Sequence, residues 1–331
     1  MNNTIILKFF DNRRMKKCAF ITEWGAKVKS KIREKTCEVL SVFFVILFAL
    51  SGCSNNEIRL SVVDGLDELG SVQVVAREEG SGTRTSFAEI IGLSEDVEEG
   101  EYDRTTENAV TAESTDEVIA KVEESKAAIG YISMGYINES DNVKILAIND
   151  AQATLINVKN GDYPLYRPFS LSWSGDLNDL EQDFLTYVEG KGQAIVEQSY
   201  VAIKDETTFL SGQYSGKITI HGSSSVAPLI EELAAEYMEI NTSATIEITV
   251  SDSTEGINDA IQGKCDFGMS SRELKDYEEE LLDYRVIARD GIAVIVNSDN
   301  PLSDVTLDEL EKLFDGTFSE WNDINTERGN E

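Results

Sequence analysis

The chain has 331 residues and is strongly acidic, with 29 Lys and Arg against 61 Asp and Glu and a formal net charge of −32. Residues 1–52 hold 10 of the basic and 4 of the acidic residues, so the rest of the chain carries a net charge of −38. A surface with this charge repels nucleic acid and anionic lipid head groups, so we expect no nucleic-acid partner.

The N-terminal segment has the layout of an export signal. Lys and Arg are dense up to Lys35, and the apolar run VLSVFFVILFAL follows at residues 39–50. A run of 12 residues is too short to cross a bilayer but suits the apolar part of a signal peptide. LSGC at residues 50–53 is similar to a bacterial lipobox, in which the signal is cut before the cysteine and the thiol carries lipid.

We therefore predict a lipoprotein signal peptide at residues 1–52, with Met15 as an alternative start, and lipidation of Cys53. Residues 53–71 are polar and acidic and are predicted to form a tether. A plain apolar anchor followed by a chance cysteine is the alternative.

Cysteine and histidine are too scarce for most metal and hydrolase chemistry. Cys18 and Cys37 would leave with the signal, so that Cys265 alone would remain besides the lipidated cysteine. This excludes an intrachain disulfide and a cysteine-based metal site. His221 is the only histidine, and the chain has no G-x-S-x-G motif. We expect no metal, no cofactor and no enzymatic activity.

The remaining chain alternates predicted strands and helices, which favours parallel α/β sheets. In the first part, strands are predicted at 72–76, 128–133, 144–148 and 168–173, and helices from Thr83, at 116–126 and at 177–198. SGQYSG at 211–216 is a flexible-looking joint. In the second part, strands are predicted at 217–221, 245–250, 265–271 and 291–297, and helices at 226–240, 257–264 and 307–316.

Three loops share one design, because each follows a predicted strand, is rich in Ser, Thr or Gly, and opens a helix. They are EGSGTR at 79–84, GSSSV at 222–226 and DSTEGI at 252–257. A helix N-terminus has unpaired N–H groups and partial positive charge, which suit an anion. A single such loop is more simply a helix cap. Three of them together with Arg77 favour a small tetrahedral oxyanion, and none matches the nucleotide-binding P-loop.

The motifs REEGSGTRTSF, AIGYISMGY, GDYPLYRPF, HGSSSVAPL, CDFGMSSREL, RDGIAVIVNSDNP and LDELEKLFDGTFSEW resemble the phosphate-binding lipoproteins of phosphate ABC transporters (PstS type) over most of residues 72–325. The resemblance implies an α/β, two-lobed periplasmic-binding-protein type II fold. One lobe would comprise residues 72–165 and 298–325, the other residues 166–297, with a tail at 326–331.

The resemblance also implies the residues that bind phosphate: Ser224, Ser225 and Ser253 from one lobe, and Arg77, Ser81, Gly82 and Thr83 from the other. Asp266 would accept a hydrogen bond from the proton of phosphate, which sulfate lacks at neutral pH. Surface or lobe-closing pairs are expected for Arg84 and Arg272, and packing for Tyr131 and Tyr136. Asp252 and Glu255 are expected to point outward, because a helix N-terminus favours acidic side chains.

The order of the motifs departs from the family, in which the GSSSV half comes first and the REEGSGTR half follows. The chain is therefore predicted to be a circular permutant that rebuilds one complete fold. Residues 201–217 would join the usual termini, and hinge crossings near 166–173 and 291–297 would stay covalent. The alternative is a fragment spanning the junction of a tandem pair.

These observations predict a lipid-anchored protein on the extracytoplasmic face of the bacterial membrane. It would capture inorganic phosphate and deliver it to the permease subunits of an ABC transporter. The alternatives are a non-transporting or fragmentary PstS-like surface protein, a binder of sulfate or molybdate, and, with less support, a serine hydrolase or phosphatase that uses GSSS.

Overall fold

The computed structural model describes residues 61–97 and 100–330. The predicted signal at 1–52 and the predicted lipidation site at Cys53 lie outside the described residues. Within these ranges, no helix combines the length and apolar character needed to cross a membrane.

Fourteen strands are formed by the described chain. They are β1 (Gln73–Arg77), β2 (Ser94–Val97), β3 (Gly100–Asp103), β4 (Val110–Ala112), β5 (Ala128–Ser133), β6 (Val143–Ile145), β7 (Ala147–Ile148), β8 (Tyr166–Trp173), β9 (Val201–Ala202), β10 (Gly216–Ser223), β11 (Ala244–Ser251), β12 (Phe267–Ser270), β13 (Asp283–Asn297) and β14 (Asp304–Val305). The acidic segments at residues 94–97 and 100–103 form the hairpin of β2 and β3.

Ten α-helices accompany these strands in the described part of the chain. They are α1 (Gly82–Ile91), α2 (Thr115–Glu123), α3 (Leu155–Asn160), α4 (Asp179–Glu189), α5 (Gln193–Ser199), α6 (Ala227–Ile240), α7 (Ser253–Ile261), α8 (Asp276–Glu279), α9 (Leu307–Phe314) and α10 (Asp323–Asn330). The single helix predicted at 177–198 is two helices, because the backbone leaves the helical conformation at Gly190 (φ −117°, ψ −99°).

One ten-stranded sheet runs through the described chain in the order β11-β10-β12-β8-β13-β5-β1-β4, with β6 and β9 pairing to β13. The predicted parallel pairing is present at both ends, where β1 lies parallel to β4 and β5, and β10 parallel to β11 and β12. The centre is antiparallel, since β8 pairs with β12 and β13, and β13 pairs with β5. The sheet is therefore mixed, with an antiparallel bridge between two parallel parts.

Two large apolar cores divide the protein into two lobes. In the first, the ring of Phe87 stacks on Tyr131 with centroids 4.1 Å apart and meets Phe314 edge-on at 4.8 Å. In the second, Phe184 packs edge-on against Tyr237 at 5.2 Å. We call residues 61–165 and 292–330 the first lobe, and residues 166–291 the second lobe.

The two lobes meet along β13, which belongs to both of them. Its residues Asp283–Gly291 pair with β8, whereas Ile292–Val296 pair with β5 and lie in the first core. The prediction assigned residues 292–297 to the second lobe. The structure assigns them to the first, because the strand changes its pairing partner directly after Gly291.

The predicted tether and tail are also part of the first lobe where they are described. Leu66 is completely buried in the first core. Asn325 accepts a hydrogen bond from Val63 N and donates one to Val63 O, both at 2.8 Å. Arg328 donates to the Glu309 carboxylate at 2.6 and 2.9 Å. Because both segments are polar in composition, the sequence did not indicate the few residues that hold them against the first lobe.

We expect Leu66→Ala to lower the free energy of unfolding by about 2–5 kcal/mol, because it leaves a cavity in the first core. Urea denaturation followed by circular dichroism measures this change. Leu210, which is 94% exposed, provides the matched control, and Leu210→Ala should leave the transition where it is. Equal transitions for the two variants would show that residues 61–71 are a tether after all.

Candidate functional site

In the first lobe, the loop between β1 and α1 faces the second lobe. Ser81 caps α1 by accepting a hydrogen bond from Arg84 N at 3.5 Å. Gly80 has φ +89°, a left-handed conformation that glycine adopts without the steric cost of a side chain. The carbonyl of Gly80 accepts from Thr254 N at 3.3 Å and Thr254 Oγ1 at 3.1 Å. This loop is therefore docked against the start of α7.

In the second lobe, β10, β11 and β12 are parallel, so their carboxyl ends lie at one edge of the sheet. Ser223 ends β10, Ser253 begins α7 directly after β11, and Ser271 directly follows β12. Asp252 caps α7 by accepting from Glu255 N at 2.8 Å, and Glu255 is exposed. The edge thus brings together serines from three separate loops.

Six hydroxyl side chains meet between the lobes. We call Thr83 of the first lobe and Ser223, Ser224, Ser225, Ser253 and Ser271 of the second lobe the hydroxyl cluster. Thr83 Oγ1 and Ser225 Oγ are 2.9 Å apart, so this pair joins the two lobes. Ser223 Oγ donates to Ser271 Oγ at 2.9 Å, and Ser253 Oγ lies 3.3 Å from Ser271 Oγ. All six except Ser224 are buried.

Gly82 allows the lobes to approach this closely. A Cβ atom at this position would lie 2.3 Å from Ser253 Oγ and 2.7 Å from Ser271 Oγ, well inside van der Waals contact. The N-terminus of α1 therefore lies directly against the hydroxyls of the second lobe, and only glycine permits it.

Two buried arginines reach the hydroxyl cluster from opposite lobes. Arg77 donates to Ser224 Oγ at 3.1 Å and to the Glu78 carboxylate at 2.7 and 2.8 Å. Arg167 donates to Ser271 Oγ at 3.3 Å. Each of them is only 2% exposed. Burial lowers the pKa of Arg167, and the nearby charge of Arg77 adds to this effect. Both guanidinium groups remain charged, because arginine does not lose its proton in proteins.

The structure brings together most of the residues predicted for the site. Ser224, Ser225, Ser253, Gly82 and Thr83 lie at the contact between the lobes, and Arg77 bonds to the cluster. Ser81 is buried beside them as the cap of α1. Tyr131 accepts from Arg77 N at 3.1 Å within the first core, and Tyr136 OH donates to Ser224 O at 3.0 Å.

Asp266 lies away from the cluster, contrary to its predicted place. Its carboxylate accepts hydrogen bonds from Thr219 N at 2.7 Å and Thr219 Oγ1 at 2.8 Å. It precedes β12, whereas Ser271 follows that strand, and five residues of extended chain correspond to about 16 Å. The physical reason is strand direction, since the anion-facing loops all follow their strands.

Four residues of the site escaped the sequence reasoning: Ser223, Ser271, Arg167 and Asp290. The pair of serines that ends the short buried strand CDFGMSS could have indicated Ser271. Arg167 gave no local signal, because its partners Ser271 and Asp290 are 104 and 123 residues away in the chain. Of the two other arginines considered, Arg84 pairs with Asp103 at 2.6 Å, and Arg272 is a buried partner of Glu278 at 2.7 Å.

Metal binding receives no support from the described residues, where no group of three His, Cys, Asp or Glu side chains could hold an ion. The hydroxyls and guanidinium groups are instead hydrogen-bond donors, suited to an oxyanion.

Comparison with known proteins establishes the family. The model of a PBP superfamily domain matches residues 64–190 and 207–331. The phosphate-binding protein PstS 2 of Streptococcus pneumoniae serotype 4 is 40% identical over 280 residues, which cover 84% of this chain and 94% of that protein. The chain belongs to the PstS family. PstS 2 of Streptococcus agalactiae serotype V is 38% identical over 280 residues, 83% of this chain and 92% of that protein.

The solved structure of a phosphate-binding protein confirms the predicted fold. The crystal structure of a phosphate-binding protein of a phosphate ABC transporter from Streptococcus pneumoniae matches with a TM-score of 0.65 and 41% identity, covering 77% of this chain and all of that chain. The resemblance and the two-lobed periplasmic-binding-protein fold are thus confirmed. The circular permutation and the tandem-junction alternative stay predictions.

We expect Gly82→Ala to hold the lobes apart, because its Cβ would fall within 3 Å of two buried serine oxygens. Small-angle X-ray scattering should show a larger radius of gyration than for the wild type. Gly329→Ala is the control, since an added Cβ there meets no heavy atom within 4 Å. An unchanged scattering profile for Gly82→Ala would contradict the close contact.

Proposed function

We propose that this protein binds inorganic phosphate between its two lobes and delivers it to the permease subunits of an ABC transporter. The observation that carries the proposal is the hydroxyl cluster, which is enclosed between the lobes and joined to two buried arginines. Membership of the PstS family and similarity to phosphate-binding proteins of Streptococcus pneumoniae support it.

The chemistry of the cluster suits a tetrahedral oxyanion. Its hydroxyls are hydrogen-bond donors, and α1, α6 and α7 begin at this place, where their N–H groups favour negative charge. The pair of Thr83 and Ser225 would exchange its mutual bond for bonds to the anion. The general negative charge of the protein does not prevent binding, because physiological salt screens exposed charges beyond about 8 Å.

The hydrolase alternative has less support. His221 Nδ1 is bonded to Asp259 Oδ2 at 2.9 Å, and Asp259 also pairs with Lys264. The side-chain bonds of the serines of the cluster go to one another, to Thr83 and to arginines, and none of these bonds involves His221. A general base has to lie within hydrogen-bond reach of the group that it activates.

We further infer that lipid on Cys53 holds the protein at the extracytoplasmic face of the membrane. The apolar run at 39–50 and the LSGC sequence that follows it support this inference.

We expect Arg77→Ala to weaken phosphate binding about ten- to hundredfold, because a charge-assisted hydrogen bond is lost from a buried site. Isothermal titration of phosphate-free protein measures this affinity. Asp266→Asn is the matched control and should change the affinity by less than about twofold, since residue 266 lies at the far end of β12.

Two results would contradict this account. An absence of phosphate binding by the wild type would refute the proposed function. A loss of affinity in Asp266→Asn as large as that in Arg77→Ala would return Asp266 to the binding site and refute the placement given by the structure.

For the anchor, we expect Cys53→Ser to move the protein from the membrane fraction to the soluble fraction or the medium, because the thiol that takes lipid is removed. Cell fractionation with immunoblotting measures this distribution. Cys265→Ser, which changes a buried cysteine, should leave it unchanged. Equal membrane association of both variants would contradict the lipid anchor.

A further inference from the structure

A buried ion pair lies where the chain crosses between the lobes. Arg167 of β8 and Asp290 of β13 are register partners, and Arg167 Nε and Nη2 both donate to Asp290 Oδ2, at 3.1 and 3.0 Å. Ser133, from the first lobe, donates to Asp290 Oδ1 at 2.9 Å. Both members of the pair are almost completely buried. The guanidinium group is therefore fixed in orientation from both lobes.

The third nitrogen of this guanidinium points into the hydroxyl cluster. Arg167 Nη1 donates to Ser271 Oγ at 3.3 Å, and Ser223 Oγ donates to the same oxygen at 2.9 Å. A serine hydroxyl has two lone pairs and one proton. With both lone pairs of Ser271 Oγ occupied, its own proton has to be donated elsewhere.

The lone pairs and the proton of Ser253 Oγ can be counted in the same way. Ser253 Oγ accepts a hydrogen bond from Ser271 N at 3.0 Å and lies 3.3 Å from Ser271 Oγ. If Ser271 Oγ donates to it, both lone pairs of Ser253 Oγ are filled and its proton is free to donate. If Ser271 Oγ instead donates to a bound anion, Ser271 itself is the donor. In either case, the series of hydrogen bonds that starts at Arg167 ends in a hydroxyl group that donates its hydrogen.

These hydrogen bonds cannot reverse their direction, because arginine can donate hydrogen bonds but cannot accept them. The carboxylates of Glu78 and Asp290 accept hydrogen bonds from the same guanidinium groups that donate to the hydroxyl cluster. The charged and titratable groups around Arg167 are Asp290, Arg77 and Tyr200. Burial raises the pKa of Asp290 to about 6, while Arg167 favours its ionised form.

We propose that Arg167 is a positioning residue that makes this series of hydrogen bonds end in a donating hydroxyl, either Ser271 or Ser253, so that this hydroxyl selects an oxygen carrying no proton. The inference rests on the proposed phosphate function and deepens it. Dibasic phosphate, with three unprotonated oxygens against two in the monobasic form, is then the favoured ligand, and its proton has to be placed away from this donating hydroxyl. Other fully deprotonated tetrahedral oxyanions are not repelled by this series of hydrogen bonds.

A double-mutant cycle tests the proposal with the wild type, Ser271→Ala, Arg167→Met and the double variant. Phosphate affinity is measured by isothermal titration on the acid and alkaline sides of neutrality. The wild type should bind more tightly on the alkaline side, where dibasic phosphate predominates. Ser271→Ala should bind about tenfold more weakly and respond less to pH. In the Ser271→Ala background, Arg167→Met should cause little further loss of phosphate affinity, because the two residues act through the same series of hydrogen bonds.

Two controls separate positioning from folding. Arg328 also has a carboxylate partner and a side chain that is only 5% exposed, and its bonds go to Glu309, Ser61 O and Asp304 O. Arg328→Met should lower stability and keep the phosphate affinity. Arg167→Lys keeps the charge beside Asp290 but lacks the planar fork that reaches Ser271. Arg167→Lys should be more stable than Arg167→Met, but it should not bind phosphate more tightly.

The outcomes distinguish this inference from the function on which it rests. A wild type that binds no phosphate refutes the function and the inference together. A wild type that binds phosphate, combined with wild-type affinity in Ser271→Ala, additive losses in the cycle or an affinity that is the same on both sides of neutrality, refutes the inference alone.

Discussion

The antiparallel pairing of β8 with β13 is the constraint on which the rest of the structure depends. Asp283–Gly291 pair with Tyr166–Trp173, and the same strand then continues into the first lobe beside β5. Main-chain hydrogen bonds therefore connect the two cores through one continuous sheet. This arrangement sets the distance between the two parallel parts of the sheet, and with it the position of every loop that reaches the site.

The charges of the site can be buried between the lobes because each of them has a partner of opposite charge. Arg77 is paired with Glu78, and Arg167 with Asp290 at the crossing itself. An unpaired buried charge would destabilise the fold, whereas a paired one with its remaining hydrogen bonds directed at hydroxyls is tolerated. The same pairing orients the guanidinium groups, so structural support and recognition of the ligand use the same atoms.

Much of the site follows from a simple property of α/β sheets. Loops after parallel strands meet at one edge, so the serines that follow β10, β11 and β12 could be grouped from their sequence context. The same rule explains the misplacement of Asp266, which precedes its strand. Arg167 and Asp290 could not be predicted in this way, because their pairing depends on the register of two strands more than 100 residues apart.

The sequence by itself determined the α/β class, the alternation of strands and helices, and the three loops rich in Ser, Thr and Gly, because periodicity and capping residues are local properties. It also determined the family through motifs that lie within single loops. The tertiary structure alone decided that β13 is shared by both lobes, that residues 61–71 are packed against the first core, and that Arg167 reaches Ser271. Each of these depends on contacts between residues far apart in the chain, which no local pattern encodes.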